Sequence, residues 1–466
     1  MNTAGNELRS LLERHGQEHL LAFWDRLSPD QRAVLTAEIR AVDLDLIAEL
    51  YARRDVTEDV QSLVARSDSP PAFRLNTAKN PFSPERARRQ AEDALRAGRL
   101  GVILVAGGQG TRLGFDQPKG LFPIGPLSGK SLFQIHVEKI VAAARRYGAR
   151  IPLYLMTSPA TDDATRRFFA ENDRFGLDED DLRIFCQGTM PAVDAATGKI
   201  LLAAPGRLAV SPDGHGGMLA ALAAGGSLDH VRRRGIEHLF YFQVDNPLVD
   251  VCGRETVGYH LLAGSELTSQ VVAKTDPLER VGNIVSVDGR LHVIEYSDLP
   301  ETLAQRRNPD GSLAIWAGSI AVHVMDVAFL RRMAAARGSL PFHHALKKVA
   351  HVDAQGRRVE PTEPNAVKFE RFIFDLLPSA RRAAVVEVDR AAAFAPLKNA
   401  SGERADTPET VRAAMIAQHA GWLRRAGAEV AEGVSVEISP LWALDAEETS
   451  QKIAPRTPVT EDTYFS

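Results

Sequence analysis

The sequence predicts an open α/β sheet, with a helical region before it and a small region after it. From about residue 100, short apolar runs alternate with helical stretches: Gly101 to Val105, Pro152 to Met156, Leu182 to Cys186 and His238 to Val244. Such runs, bounded by turn residues, are what strands buried on both faces of a parallel sheet require. The first hundred residues lack strand alternation and carry helix punctuation, clearest at Ser28-Pro29-Asp30-Gln31. Ser28 can cap, Pro29 takes the first helical position, and Gln31 completes a capping box.

Each element follows in order. Leu20, Leu21, Phe23, Trp24, Val34, Leu35, Ile39, Val42, Leu46 and Ile47 supply the apolar side of several short helices, expected to form a scaffold on the main domain. Pro70-Pro71 through Asn80-Pro81 reads as a linker. A β-rich insertion is expected from Val271 to Lys274, Asn283 to Val287, the turn Asp288-Gly289, and His292 to Tyr296. From about Pro396 the chain mixes one helical segment, Pro408 to Arg425, with extended Val434 to Ile438. The resulting division is a helical N-terminal region (1–98), an α/β domain with the β-rich insertion (99–395) and a small C-terminal region (396–466). At about 150 residues per domain, 466 residues allow three.

Composition narrows the function. Lys and Arg total 56 against 60 Asp and Glu, a formal charge of -4, so no global positive field draws the chain to nucleic acid or an anionic membrane. Phosphate binding must then be local. Hydrophobic residues at 44% and charged residues at 25% match folded soluble domains. Two cysteines, Cys186 and Cys252, are too few for a disulfide framework, and no Cys/His spacing points to zinc. The opening MNTAGNELRS has no signal-peptide pattern, and no apolar run of about 18 residues follows, so a cytoplasmic location is expected.

The most informative segment runs from Val102 through Gly107, Gly108, Gly110, Arg112 and Gly114 to Pro118-Lys119-Gly120. An apolar strand leads straight into a loop whose glycines admit close backbone approach and point N–H groups at a ligand. Taken alone, such a loop also fits a flexible turn with solvated charges. Its place after a strand and its two cations favour a phosphate cradle. Gly108-x-Gly110-x-x-x-Gly114 is one residue too long for the dinucleotide fingerprint, which disfavours NAD. Gly125 to Ser131 is one residue short of a P-loop and no strand feeds it, so it reads as a decoy and a P-loop ATPase is disfavoured.

The run LVAGGQGTRLGFDQPKGLFPIG, followed by SLFQIHVEKI, CQGTMPA, SPDGHGG, FQVDN, KTDPLERVG, IEYSD, NAVKFERFIFD and APLKNA, resembles the eukaryotic-type UDP-N-acetylhexosamine pyrophosphorylases of the UDP-sugar pyrophosphorylase family. The N-terminal GQEHLLAFW is similar too, and the blocks recur in order from about residue 15 to residue 400. The resemblance implies a Rossmann-like nucleotidyltransferase sheet of the nucleotide-diphospho-sugar transferase type. It also implies Mg²⁺-dependent exchange of UTP and a hexose 1-phosphate for UDP-sugar and pyrophosphate.

That chemistry needs cations and a metal to neutralise several phosphate oxygens at once, and no nucleophilic side chain. Arg112 and Lys119 suit the leaving pyrophosphate. Lys398 resembles the family lysine that holds the sugar phosphate, and Lys368 the other phosphate-contacting lysine. Asp245 ends an apolar strand at the edge where α/β sheets gather ligands, and its carboxylate suits Mg²⁺ and the nucleotide; the same Asp also fits a plain turn at Asn246-Pro247. Gln187 offers donor and acceptor to a uracil edge, with Gly107, Gly108 and Gly214 supplying backbone to the nucleotide. Glu295 and Tyr296 resemble the pair that meets sugar hydroxyls, with Gly282 nearby to admit them. His343-His344 lacks ligand-spaced partners and reads as structural.

Two departures bear on the sugar. His215 stands where the N-acetylhexosamine enzymes have Asn, and Ser319 where they have the Asn of Gly-Asn-Ile, both at positions that face the hexose in the family. The expected substrate is N-acetylglucosamine 1-phosphate, with glucose 1-phosphate as the rival and a non-catalytic UDP-sugar sensor as the reading from another class. Retention of Arg112, Lys119, Asp245, Lys368 and Lys398 together argues against the sensor.

Overall fold

A computed structural model describes residues 3–54, 60–75, 78–336 and 338–466. Met1 and Asn2 of the opening segment, residues 55–59 of the helical region, and Asn76 and Thr77 of the linker lie outside the described residues. The chain divides into two compact units, each assembled from separated segments: 1–59, 187–220 and 340–373 in one, 60–186, 221–339 and 374–466 in the other. The linear reading kept residues 1–98 together. In the structure they divide, because Pro84–Arg96 packs with the second unit through Ala87, Ala91, Ala94 and Leu95.

In the first unit, Ser28 caps the helix Pro29–Ala41 and Gln31 closes the capping box as expected. Leu8, Leu12, Leu20, Leu35 and Ile39 share a core with Val193, Leu202, Leu208, Val367 and Phe369. Val34 is 40% exposed and takes no part in that core. A three-stranded sheet orders His343–Lys347, Ala366–Glu370 and Val193–Asp194, all antiparallel. The strand Thr189–Pro191 pairs with Val210–Pro212.

The second unit is built on a mixed sheet of ten strands among the described residues: β1 Ser67–Asp68, β2 Leu100–Val105, β3 Leu153–Thr157, β4 Leu182–Cys186, β5 His238–Gln243, β6 Leu267–Ala273, β7 Asn283–Val287, β8 Arg290–Ile294, β9 Ala317–Asp326 and β10 Ala383–Glu387. Its main path is β1-β7-β9-β5-β2-β3-β4, with β6 on β9 and β10, and β8 on β7. The stretch β5-β2-β3-β4 is parallel, and its strands β2, β3 and β5 are almost wholly buried, which explains their unbroken apolar runs. The strands read as a β-rich insertion join this same sheet, because β9 is ten residues long and pairs with β5 at one end and β7 at the other. Asp288 and Gly289 both adopt positive φ, 51° and 78°, in the tight turn between β7 and β8.

Three helices pack into the core of this sheet: α1 Leu132–Tyr147, α2 Arg254–Ala263 and α3 Pro408–Arg425. α1 begins at Ser131, whose side chain accepts from Gln134 N, and ends at Gly148 with φ 61°. α3 places Val411 and Met415 in the main core, and Ala420 and Leu423 in a separate cluster with Val436, Ile438 and Val459. One helix therefore serves both the sheet and the C-terminal region. The segment read as a linker is pinned at Phe73, which donates to Val385 O and accepts from Glu387 N, both at 2.9 Å.

Candidate active site

Strand order places the chemistry. Going along the chain from β2, the next strand β3 lies on one side, whereas β5 lies on the other. Their carboxyl ends make a topological switch point, where open α/β sheets leave a crevice for ligands. Val105 pairs with Gln243 across β2 and β5, so the glycine loop and Asp245 leave the sheet side by side.

The loop after β2 is tied internally. Ser158 Oγ donates to Gly107 O at 2.7 Å, Gly110 N to Gln117 O at 2.8 Å and Lys119 N to Gly108 O at 3.1 Å. A Cβ on Gly110 would lie 2.7 Å from Phe115 O, and one on Gly120 would enter the Phe133 ring at 2.2 Å, so both positions require glycine. A Cβ on Gly108 would meet nothing within 4 Å, and that residue is exposed, as a backbone wall facing a ligand would be. Arg112 is exposed on the same loop.

Lys119 Nζ donates to Leu397 O at 3.2 Å. Burial lowers its pKa, the Asp245 carboxylate opposes that shift, and Lys398 and Arg112 add to it. Lys119 therefore feels Asp245, Lys398 and Arg112, the other charged groups expected at the phosphates within this unit. Lys398 Nζ lies 5.8 Å from the centre of the Phe394 ring, and its backbone N donates to Asp406 O at 2.8 Å. Burial raises the Asp406 carboxyl above its usual range and Asp245 adds to this, while Lys398 pulls it down. One partly exposed carboxylate at a strand end, with a second nearby and cations around it, fits a Mg²⁺ that takes few protein oxygens and several from phosphate or water. Among the described residues no group of three or more His, Cys, Asp or Glu forms a closed metal cage.

The expected sugar-contacting residues of this unit also converge. A Cβ on Gly282 would sit 3.3 Å from Glu295 Oε1 and 3.9 Å from Ser319 Cβ, and Ser319 N donates to Gly282 O at 2.8 Å. Tyr296 is 48% exposed beside Glu295. Ser319 precedes an irregularity in β9, where the β6 register shifts between Ser269 and Val271 and Ala321 takes φ 55°, a left-handed conformation rare outside glycine.

The remaining expected residues, Gln187, Gly214, His215 and Lys368, belong to the first unit. Gln187 is buried at the start of the strand pair, and Lys368 sits on Ala366–Glu370 opposite Ala345. Gly214 has φ 83°, and a Cβ there would lie 2.4 Å from Arg371 O. His215 Nδ1 accepts from Ile373 N at 3.2 Å and its ring stacks on Phe372 at 5.3 Å. Burial, with His343 adding to it, pulls His215 down to about 4, so the imidazole is neutral near pH 7 with its proton on Nε2. His343 packs on Phe372 at 4.6 Å, a structural role as expected.

Three features escaped the sequence reading. Asp213 and Arg371 form a buried ion pair, and Arg371 N donates to Asp213 O at 2.8 Å, which locks the Gly214 loop. Lys274, inside KTDPLERVG, donates to Asn283 Oδ1 at 2.7 Å and Pro277 O at 2.9 Å, supporting the strand after Gly282. In the P-loop-like segment, Leu127 N and Ser128 N both donate to Glu437 Oε2 at 2.7 Å, and Lys130 pairs with Glu138 at 2.6 Å. That nest holds the chain's own Glu437 carboxylate, as a cradle open to a nucleotide would not.

Comparison with known proteins agrees with this geometry. The family model described as UTP–glucose-1-phosphate uridylyltransferase matches residues 60–447. The chain belongs to that family. It is 39% identical over 440 residues to the UDP-N-acetylhexosamine pyrophosphorylase-like protein 1 of Homo sapiens, covering 91% of this chain and 86% of that protein. To the UDP-N-acetylglucosamine pyrophosphorylase of Saccharomyces cerevisiae it is 36% identical over 466 residues, covering 96% of each. The crystal structure of the uridine diphosphate N-acetylglucosamine pyrophosphorylase from Trypanosoma brucei in complex with inhibitor superposes with a TM-score of 0.83 at 27% identity, covering 97% of this chain and 95% of that one. The Rossmann-like nucleotidyltransferase fold expected from the motifs is thus the fold of the family.

Proposed function

We propose that this family member is a uridylyltransferase that makes UDP-N-acetylglucosamine and pyrophosphate from UTP and N-acetylglucosamine 1-phosphate. The observation that carries it is the gathering of Asp245, Lys398 and Arg112 around Lys119 at the switch point of the sheet. In-line attack of the sugar phosphate oxygen on the α-phosphorus spreads negative charge over entering, equatorial and leaving oxygens, and such an array of fixed cations neutralises it where it develops. Lys119 and Arg112 hold the pyrophosphate as it leaves. Lys398 holds the sugar phosphate. Within the second unit Gly107 and Gly108 serve the nucleotide and Gly282, Glu295, Tyr296 and Ser319 the hexose; within the first, Gln187, Gly214 and Lys368 are assigned to the nucleotide and His215 to the hexose.

Asp245 would hold Mg²⁺, which supplies further neutralisation of phosphate charge when bound. Relatives named for N-acetylhexosamine or N-acetylglucosamine, matched over nearly the whole chain, favour that sugar over glucose 1-phosphate. A reducing, cytoplasmic setting fits two cysteines placed apart, Cys186 exposed and Cys252 buried; among the described residues no helix is long and apolar enough to cross a membrane. Pyrophosphate release from UTP, measured against a panel of sugar 1-phosphates, tests the reading. N-acetylglucosamine 1-phosphate should give the highest kcat/KM, and a higher value for glucose 1-phosphate would assign the rival substrate.

A further inference from the structure

Asn246 follows Asp245 directly, is 3% exposed, and spends its side chain entirely on backbone. Its Nδ2 donates to Ala393 O at 2.7 Å, and its Oδ1 accepts from Ala395 N at 3.1 Å and from Leu248 N at 3.3 Å. Donor and acceptor of one amide thus grip the segment that leads to Lys398. The grip continues along the chain: Leu397 N donates to Asp245 O at 2.8 Å, and Lys119 Nζ donates to Leu397 O at 3.2 Å. Segment 394–398 belongs to no helix or strand, so its backbone has no ladder of its own to hold it.

The opposite side of the Asp245 turn is held separately. His136 Nε2 donates to Val244 O at 3.0 Å, and Lys139 Nζ donates to Pro247 O at 2.5 Å and Val249 O at 2.9 Å, all from α1. α1 therefore places Asp245 on the sheet, whereas the Asn246 amide joins the Lys398 segment to it. Aspartate at position 246 would keep the acceptor and lose the donor; alanine would lose both.

We infer that Asn246 is a positioning residue that sets Lys398 against Asp245 and Lys119, and so fixes the approach of the sugar phosphate to the nucleotide. The inference rests on the uridylyl transfer proposed above. In-line displacement tolerates little misplacement, and a shift of about 1 Å costs on the order of 100-fold in rate. Asn246→Ala should lower kcat/KM for the sugar 1-phosphate by about that factor, while UTP affinity measured without sugar stays within about 2-fold of wild type.

A double-mutant cycle separates positioning from general damage. If Asn246 acts through Lys398, Asn246→Ala in a Lys398→Ala background should cost no more than about 2-fold. Losses that multiply in the double variant, or UTP affinity that falls in step with kcat/KM, would overturn the inference. Thermal melting checks that each variant is folded; should Asn246→Ala fail to fold, Asn246→Asp carries the same cycle, with the same two outcomes read. A wild-type protein inert with UTP and every sugar 1-phosphate would sink the proposed function itself, whereas an active wild type with a multiplicative cycle would sink the positioning role alone.

Discussion

Lys398 sits close enough to Lys119 to help lower its pKa, yet the proposed roles differ, and kinetics should separate them. Charge on the leaving pyrophosphate grows in the transition state, so Lys119→Ala should act mainly on kcat. Lys398→Ala should also raise the KM for the sugar phosphate. Calorimetry in which Lys398→Ala weakened only UTP binding would reverse the assignment. Ser319 lies against Gly282, and its short hydroxyl also accepts from Ala321 N at 3.4 Å. Restoring the longer amide with Ser319→Asn should raise selectivity for the acetamido sugar over glucose 1-phosphate by about 2- to 13-fold, the value of one neutral hydrogen bond. Unchanged selectivity in paired kcat/KM measurements would place the discrimination elsewhere. Residues of this kind were legible in the sequence because short motifs carry them. The roles of Asp213, Arg371, Lys274 and Asn246 are not legible there, since they rest on Lys274 with Asn283, Asn246 with Ala393 and Asp213 with Arg371, pairs 9, 147 and 158 positions apart that no local pattern encodes.

Among the elements, the apolar runs identify β2, β3, β4 and β5 to within a residue at each end: β2, β3 and β5 are buried on both faces and leave no polar alternation to blur them, and the half-exposed β4 keeps Leu182, Ile184 and Phe185. Pairing was less legible. β6, β7 and β8 were expected as an insertion, yet the length of β9 brings them into one sheet, a consequence of long-range register that single runs do not report. The Gly125 to Ser128 turn illustrates the same limit. Its exposed-looking amides are satisfied by Glu437, 3% exposed and some three hundred residues away along the chain. Glu437→Ala would leave two amides and the Ser128 hydroxyl without their acceptor, each buried unpaired group costing about 1–3 kcal/mol. Urea unfolding should register a loss of roughly 3 kcal/mol, and a loss below about 1 kcal/mol would show that water or a neighbour replaces the carboxylate.

The molecule as a whole should be acid-sensitive. Burial holds His136 and His419 near 3 and His215 near 4, each far below the ordinary histidine value of 6.5. Between about pH 6.5 and 4 the unfolded chain binds these protons and the folded chain does not, so stability rises with pH across that window and is lost on acidification. Asp250, whose carboxyl burial and Asp445 push up to about 6, and Asp406, which burial also raises, contribute with the opposite sign above their unfolded values, but they are two groups against the three histidines. The melting temperature should fall by roughly 5 °C or more from pH 7 to pH 5; a flat or rising profile would mean that the histidines are protonated in place.

At this scale the fold class was legible in the pattern of runs and the family in the ordered motifs, whereas the assembly of each unit from three separated segments was not. The account turns on Asp245 and its surrounding cations transferring a uridylyl group. Pyrophosphate release from UTP and N-acetylglucosamine 1-phosphate, with wild type and Asp245→Asn side by side and Mg²⁺ present or chelated, addresses this most directly. The expected result is wild-type turnover that requires Mg²⁺ and a loss of at least about 100-fold in the variant, about 2.7 kcal/mol of transition-state stabilisation. Undiminished turnover in Asp245→Asn, or wild-type turnover indifferent to chelation, would contradict it.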